Sequence, residues 1–210
     1  MNEFDKWRLR YNSMSYQDQV SYHNDLAARY PEQNHYNYAN VKEALQLMEG
    51  GVVLEFGTWK GDLAKQALQD FLITTWYGVE ICETAISQTK CPQVKYIKPD
   101  RFDWFSQPRE IEADIIIATH FIEHLSNEHF KQLAKHCVGV KLIHFEAPLT
   151  NEGNDWKDYE GTHKLTIGWD EINKTMQNLS YKLIINHPES KTYQYDSQPP
   201  FSRLPPQAIH

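Results

Sequence analysis

Val52–Val53–Leu54–Glu55–Phe56–Gly57–Thr58–Trp59–Lys60–Gly61–Asp62–Leu63–Ala64 is the stretch that decides the fold. An apolar run of buried type meets an acid and then passes through two glycines. Beyond them Leu63, Ala64, Ala67, Leu68 and Phe71 recur at the spacing of one helix face. The reading is strand, tight loop, helix, with the Glu55 carboxylate at the strand's carboxyl end. Glycine allows positive φ and a close approach of backbone to ligand. Free N–H groups at a helix start favour an anionic ligand group, and open α/β sheets bind small molecules at this place.

Outward from that loop, strand-like and helix-like runs alternate. Strands are expected at 52–56, 74–80, 94–98, 113–118, 140–146, 181–186 and 191–195, and helices at 62–71, 83–88, 126–137 and 169–179. Val41, Ala44, Leu45 and Met48 give a further short amphipathic helix, stopped by Gly50–Gly51. Such alternation argues for βαβ units around a mainly parallel sheet. His187–Pro188–Glu189–Ser190 reads as a hairpin turn joining the last two strands. Three segments follow: an aromatic-rich N-terminal extension or lid at 1–40, a main domain at 41–196, and a proline-rich tail at 197–210.

Composition narrows the function. The chain has 210 residues, a net charge of −7 and no dense Lys/Arg cluster, which disfavours a nucleic-acid partner. Three cysteines with no CxxC pair suit reduced thiols, and no signal peptide or membrane-length apolar run is visible. The expectation is a soluble, cytoplasmic protein.

Two cofactors compete for the loop. A dinucleotide fingerprint needs GxGxxG, but Trp59 stands where the middle glycine would meet a pyrophosphate. An acid two residues before Gly57 suits a ligand with an ammonium group instead. Glu80 lies 23 residues beyond Gly57 at the end of the next expected strand, where an acid can bind both ribose hydroxyls. Downstream, the apolar run 113–118 leads into Thr119–His120–Phe121–Ile122–Glu123–His124–Leu125. Its HxxEH spelling matches a zinc-protease motif, which needs both histidines on one helix. His120 ends an apolar strand here, so a metal is not expected.

Together, the glycine loop and the apolar strand followed by Glu123–His124–Leu125 resemble class I S-adenosylmethionine-dependent methyltransferases of small-molecule type. The resemblance covers residues 41–195. It implies a Rossmann-like fold: a mainly parallel seven-stranded sheet with an antiparallel last strand, flanked by helices. It implies S-adenosylmethionine as cofactor, held by Glu55, Gly57, Thr58 and Gly61 in the loop and by Glu80 and Ile81 after the second strand. Asp100 and Arg101 would border the adenine, and Thr119 and His120 the methyl-transfer cavity. His163, in the long stretch after the fifth strand, is the first candidate for a general base, with His120 second. An acceptor would meet Tyr36, Tyr38, His144, Glu146, Trp156 and His163. A core role for His144 and an exposed-loop role for His163 stay open.

The implied activity is methyl transfer to a small polar metabolite, with a sugar or nucleotide-sugar hydroxyl favoured because histidines suit a hydroxyl acceptor. A small amine or peptide acceptor, an inactive partner subunit, and metal assistance through Asp155 and Asp158 are the alternatives. The aromatic extension serves equally as lid, packing helix or homodimer contact.

Overall fold

The computed structural model describes residues 13–29, 37–48, 50–101, 105, 109–151 and 164–196. Seven strands form one sheet: β1 (Gly51–Phe56), β2 (Ile73–Val79), β3 (Val94–Ile97), β4 (Ile115–Thr119), β5 (Leu142–Glu146), β6 (Tyr181–Asn186) and β7 (Ser190–Tyr195). Their spatial order is β3-β2-β1-β4-β5-β7-β6. The pairs from β3 through β5 are parallel, and β7 runs antiparallel to both β5 and β6. This is the Rossmann-like methyltransferase arrangement expected from the sequence. The carboxyl ends of β1 to β5 therefore share one edge, where an open parallel sheet places its ligand crevice.

Alternation along the central strands splits the core into two layers. Leu54, Phe56, Ile116, Ala118, Ile143 and Phe145 face α5 (Asn127–His136) and α6 (Trp169–Asn178), meeting Phe130, Leu133, Trp169, Ile172 and Met176. Val53, Ile115, Ile117 and Leu142 face α2 (Tyr38–Leu45) and α3 (Asp62–Asp70), meeting Val41, Leu45, Leu63 and Ala67. Helix starts follow local chemistry. Ser126 Oγ accepts the His129 N–H at 3.1 Å to cap α5, and Asn37 Oδ1 accepts the Ala39 N–H at 3.1 Å to cap α2. Helix α2 starts at Tyr38, three residues before the first apolar residue of its expected stripe.

The N-terminal extension contains a further helix, α1 (Tyr16–Arg29). A reciprocal capping box opens it: Asp18 N–H donates to Ser15 Oγ at 3.2 Å, and Ser15 N–H donates to Asp18 Oδ2 at 3.3 Å. Helix α1 packs on the short α4 (Glu83–Ser87) at the carboxyl edge of the sheet. Cys82, Cys91 and Cys137 are buried free thiols. Among the described residues, no helix is long and apolar enough to cross a membrane.

Candidate functional site

The loop after β1 is clamped onto β2. Gly57 N–H donates to the Val79 carbonyl at 2.9 Å, and Gly61 N–H closes a turn onto the Thr58 carbonyl at 3.0 Å. Gly61 has φ 77°, and a Cβ there would stand 3.0 Å from the Tyr96 hydroxyl. Trp59 adopts φ 51°, a left-handed conformation that glycine takes without strain. The residue departs from the glycine pattern while the backbone keeps the glycine shape. Both its main-chain groups are occupied. Its N–H donates to Glu80 Oε2 at 2.8 Å, and its carbonyl accepts from the Tyr96 hydroxyl at 3.2 Å. The indole Nε1, in contrast, is buried with no hydrogen-bond partner among the described residues. A buried donor left unpaired costs about 1–3 kcal/mol.

Glu80 ends β2 as a buried carboxyl that organises two segments at once. Besides Trp59 it receives the Cys82 N–H on Oε1 at 2.8 Å. Burial raises its pKa, opposed by backbone N–H donors from Cys82, Trp59 and Ile81. Glu55 lies below the loop, on the α2/α3 face with Ile117 and His144. Its Oε2 accepts the Trp76 indole N–H at 2.9 Å. Burial pushes its pKa up to about 8, against hydrogen bonds from Trp76 and Thr58. Burial thus favours the protonated form of that carboxyl, which braces the loop floor through Trp76.

Gly78, opposite Glu55 in the register, was not read from sequence as a site residue. A Cβ there would lie 2.5 Å from Thr58 Oγ1 and 2.9 Å from Thr58 Cβ. The absent side chain is what lets Thr58 seat. Gly78→Ala is expected to cost about 1–3 kcal/mol by overpacking and to displace the loop. Thermal unfolding would show the first effect and nucleoside-binding calorimetry the second.

A second group of side chains gathers where β4 and β5 end. His120 has φ 48° and donates its N–H to the Glu146 carbonyl at 2.8 Å. Its Nδ1 lies 3.2 Å from Glu123 Oε1 and its Nε2 3.8 Å from Glu146 Oε1. Burial lowers the His120 pKa, but the hydrogen bond and charge of Glu123, with Glu146 and Glu189 behind it, carry it above the ordinary value. Glu146 also reaches the N-terminal part of the chain, accepting the Asn37 N–H at 2.7 Å and the Asn40 amide at 3.4 Å. Ile122–His124 forms a single 3₁₀ turn that excludes His120, so the two histidines of the HxxEH string do not share a helix. Among the described residues, no group of three or more His, Cys, Asp or Glu could hold a metal ion.

Helix α1 roofs the loop region. Tyr16 donates its hydroxyl to the Pro99 carbonyl at 2.6 Å, Asn24 Oδ1 accepts the Thr84 N–H at 2.9 Å, and Lys60 Nζ donates to the Ala27 carbonyl at 3.3 Å. Its His23 ring meets His124 edge-on at 6.5 Å. Burial, then His124 and Lys164, hold the His23 pKa down at about 3, so this ring is neutral.

The remaining expected residues scatter. Asp100 and Arg101 follow β3 as an exposed pair 4.0 Å apart beside the Tyr16 anchor, and Thr119 is buried opposite Glu146. His144 is fully buried, with Nδ1 3.0 Å from Thr192 Oγ1 and a pKa lowered to about 3 by burial. It is a core histidine beneath α2 and does not line the cleft. Tyr38 was expected near the pocket. Its hydroxyl instead donates to Asp70 Oδ2 at 3.0 Å, at the far end of α3 from the loop, because Lys42 fixes Asp70 there at 2.8 Å. Tyr36, Trp156, His163, Asp155 and Asp158 lie outside the described residues. A cavity of about 250 Å³ lined by Leu45, Met48, Asp70, Phe71 and Ile73 opens at the opposite edge of the sheet. Among the described lining residues the one carboxylate, Asp70, is paired with Lys42.

No protein-family model matches the sequence, and no curated protein does. Solved structures do match in fold. A DhpI–S-adenosylhomocysteine complex superposes with a TM-score of 0.60 at 15% identity, covering 87% of this chain and 98% of that one. A SAM-dependent methyltransferase from Archaeoglobus fulgidus gives 0.61 at 15% identity, over 82% and 98% of the two chains. The 1,6-didemethyltoxoflavin-N1-methyltransferase of Burkholderia thailandensis, with 1,6-didemethyltoxoflavin and S-adenosylhomocysteine bound, gives 0.64 at 11% identity, over 86% and 87%. The chain therefore has the fold of S-adenosylmethionine-dependent methyltransferases.

Proposed function

We propose that this protein is an S-adenosylmethionine-dependent methyltransferase acting on a small polar metabolite. One observation carries the reading: a Glu80-clamped loop and the His120–Glu123–Glu146 cluster stand at the same carboxyl edge of the sheet. The residues fit a nucleoside cofactor. Glu80 has four lone-pair sites and so retains acceptor capacity beyond its backbone N–H partners, and among the described residues the buried Trp59 indole N–H has no partner. Glu80 and Ile81 would hold the ribose side, Asp100 and Arg101 the adenine side, and Gly57, Thr58, Gly61 and Thr119 the amino-acid end. When bound, that cofactor supplies an electrophilic methyl group.

This chain's own residues orient the acceptor, exclude water and move a proton. Helix α1 supplies the roof that excludes water. His120, flanked by carboxylates that stabilise its protonated form, is suited to take a proton from a hydroxyl acceptor. Glu123 and Glu146 set its orientation. This favours oxygen methylation, with a sugar or nucleotide-sugar hydroxyl as the acceptor class. His163 is the other candidate base.

Calorimetry with S-adenosylmethionine and S-adenosylhomocysteine tests the cofactor. Micromolar binding of both is the expected result. No binding by folded protein would sink the enzymatic reading and leave the inactive partner subunit.

A further inference from the structure

Lys60 belongs to the loop after β1, yet its side chain meets a different element. It is 2% exposed, and its Nζ donates to the Ala27 carbonyl of α1 at 3.3 Å, across 33 positions of sequence. Ala27 lies in the last turn of α1, where carbonyls lack an intrahelical partner and the helix dipole favours a cation. A lysine of the loop thus caps the roof helix. Its own backbone is fixed from another side, because the Lys60 carbonyl accepts the Lys90 N–H at 2.8 Å and the Thr89 hydroxyl at 3.3 Å. Beside it the Trp59 ring packs with Ala27, Cys82 and Ala85.

Apolar packing does little to hold α1. Its buried residues are Gln19, Val20 and Ala27, so polar ties decide where it rests. Tyr16 ties it to Pro99 and Asn24 to Thr84, both away from the loop. The Lys60 tie ends on the loop itself. The position of the loop and the closure of the roof are therefore coupled, and such coupling is reciprocal. We propose that Lys60 is a positioning residue that links closure of α1 to cofactor occupancy. A filled loop holds the ammonium on Ala27, and the capped helix in turn slows release of the cofactor. The inference rests on the cofactor reading above, and Lys60 acts in it through α1 rather than through the ligand.

Cys82 reports on the roof. Its thiol is buried under α1, 3.3 Å from the His23 carbonyl and from Asn24 Oδ1, so a reagent reaches it only when α1 lifts. Cys137, buried in the main core, reports global opening. The test is iodoacetamide labelling, read thiol by thiol by mass spectrometry, of wild type, Lys60→Met and Lys60→Arg, with and without saturating S-adenosylhomocysteine. Lys60→Met keeps the apolar stem and loses the charge, while Lys60→Arg keeps the charge. Without ligand, Lys60→Met is expected to label Cys82 about 10-fold faster than wild type, one charge-assisted bond's worth, with Cys137 unchanged. S-adenosylhomocysteine is expected to slow Cys82 by about 10-fold in wild type and Lys60→Arg, and by much less in Lys60→Met. A faster ligand-free rate with the ligand effect intact would make Lys60 a structural cap and overturn the coupling. Equal acceleration of Cys82 and Cys137, or equal behaviour of the Met and Arg variants, would overturn the cap itself. Failure of folded wild type to bind S-adenosylhomocysteine in calorimetry would overturn the cofactor reading and the coupling with it, while the ligand-free rates would still decide the cap.

Discussion

Glu80→Gln is expected to weaken S-adenosylhomocysteine binding by about 100-fold or more, and Glu80→Ala to abolish it. The carboxylate takes backbone N–H groups from Trp59 and Cys82, one on each oxygen. A glutamine keeps one acceptor oxygen and turns its NH₂ against the other N–H. The loop after β1 or the start of α4 must then shift. A bond to an ionised acceptor contributes about 1.5–3 kcal/mol, and 1.4 kcal/mol is tenfold in affinity. Losing one clamp and one ligand contact together therefore accounts for the 100-fold. Alanine leaves both N–H groups buried and unpaired, which costs stability on the order of 3 kcal/mol. A melting curve run beside the calorimetry separates the two effects. If Glu80→Gln binds as wild type does, the acid is only a loop clamp and the ribose assignment fails.

Much of this scaffold was legible because its signals are local. Strand and helix positions follow apolar spacing, and Glu80 follows from its distance past Gly57. The antiparallel hairpin at β6–β7 was legible too. Features that depend on side-chain direction or on distant partners were not. Leu54 and Phe56 are as apolar as Val53, so alternation could not say that Glu55 turns to the α2/α3 face and meets Trp76. Asn37 lies 109 positions from Glu146, and no local rule joins them. Tyr38 looked like a cleft aromatic but answers to Asp70, whose placement depends on the length of α3. Helix α1 did carry a local signal, the Ser15–Asp18 capping pair. It was masked by a segment with only three buried residues, Gln19, Val20 and Ala27. Gly78 matters through the volume it leaves for Thr58, and a glycine inside a strand does not announce its neighbour.

Stability should fall as pH rises from 6.5 to 8, and Glu55→Gln should remove most of that fall. Glu55 holds its proton in the folded state up to about 8, against an ordinary value of 4.5. The folded form therefore binds more protons than the unfolded chain across that interval. A group raised in this way stabilises fully below its unfolded pKa, and the stabilisation is lost as pH climbs to the folded one. At 1.36 kcal/mol per unit the whole interval is on the order of 5 kcal/mol, with about 2 kcal/mol of it above pH 6.5. His23 and His144 act in the opposite sense. Both are held near 3 against an ordinary 6.5, so the unfolded chain binds the extra protons and stability falls as pH drops below 6.5. Two falling limbs leave a maximum near neutrality. Glu80 and Glu146, also raised, share the sign of Glu55. Glutamine at position 55 keeps an oxygen for the Trp76 N–H but cannot ionise, so it isolates the proton from the hydrogen bond. Urea midpoints from pH 5 to 9 should show the variant gaining on wild type all the way from 5 to 8 and then running parallel. Curves parallel throughout would mean that Glu55 is already ionised in the fold, and the neutral brace beneath the loop would have to be abandoned.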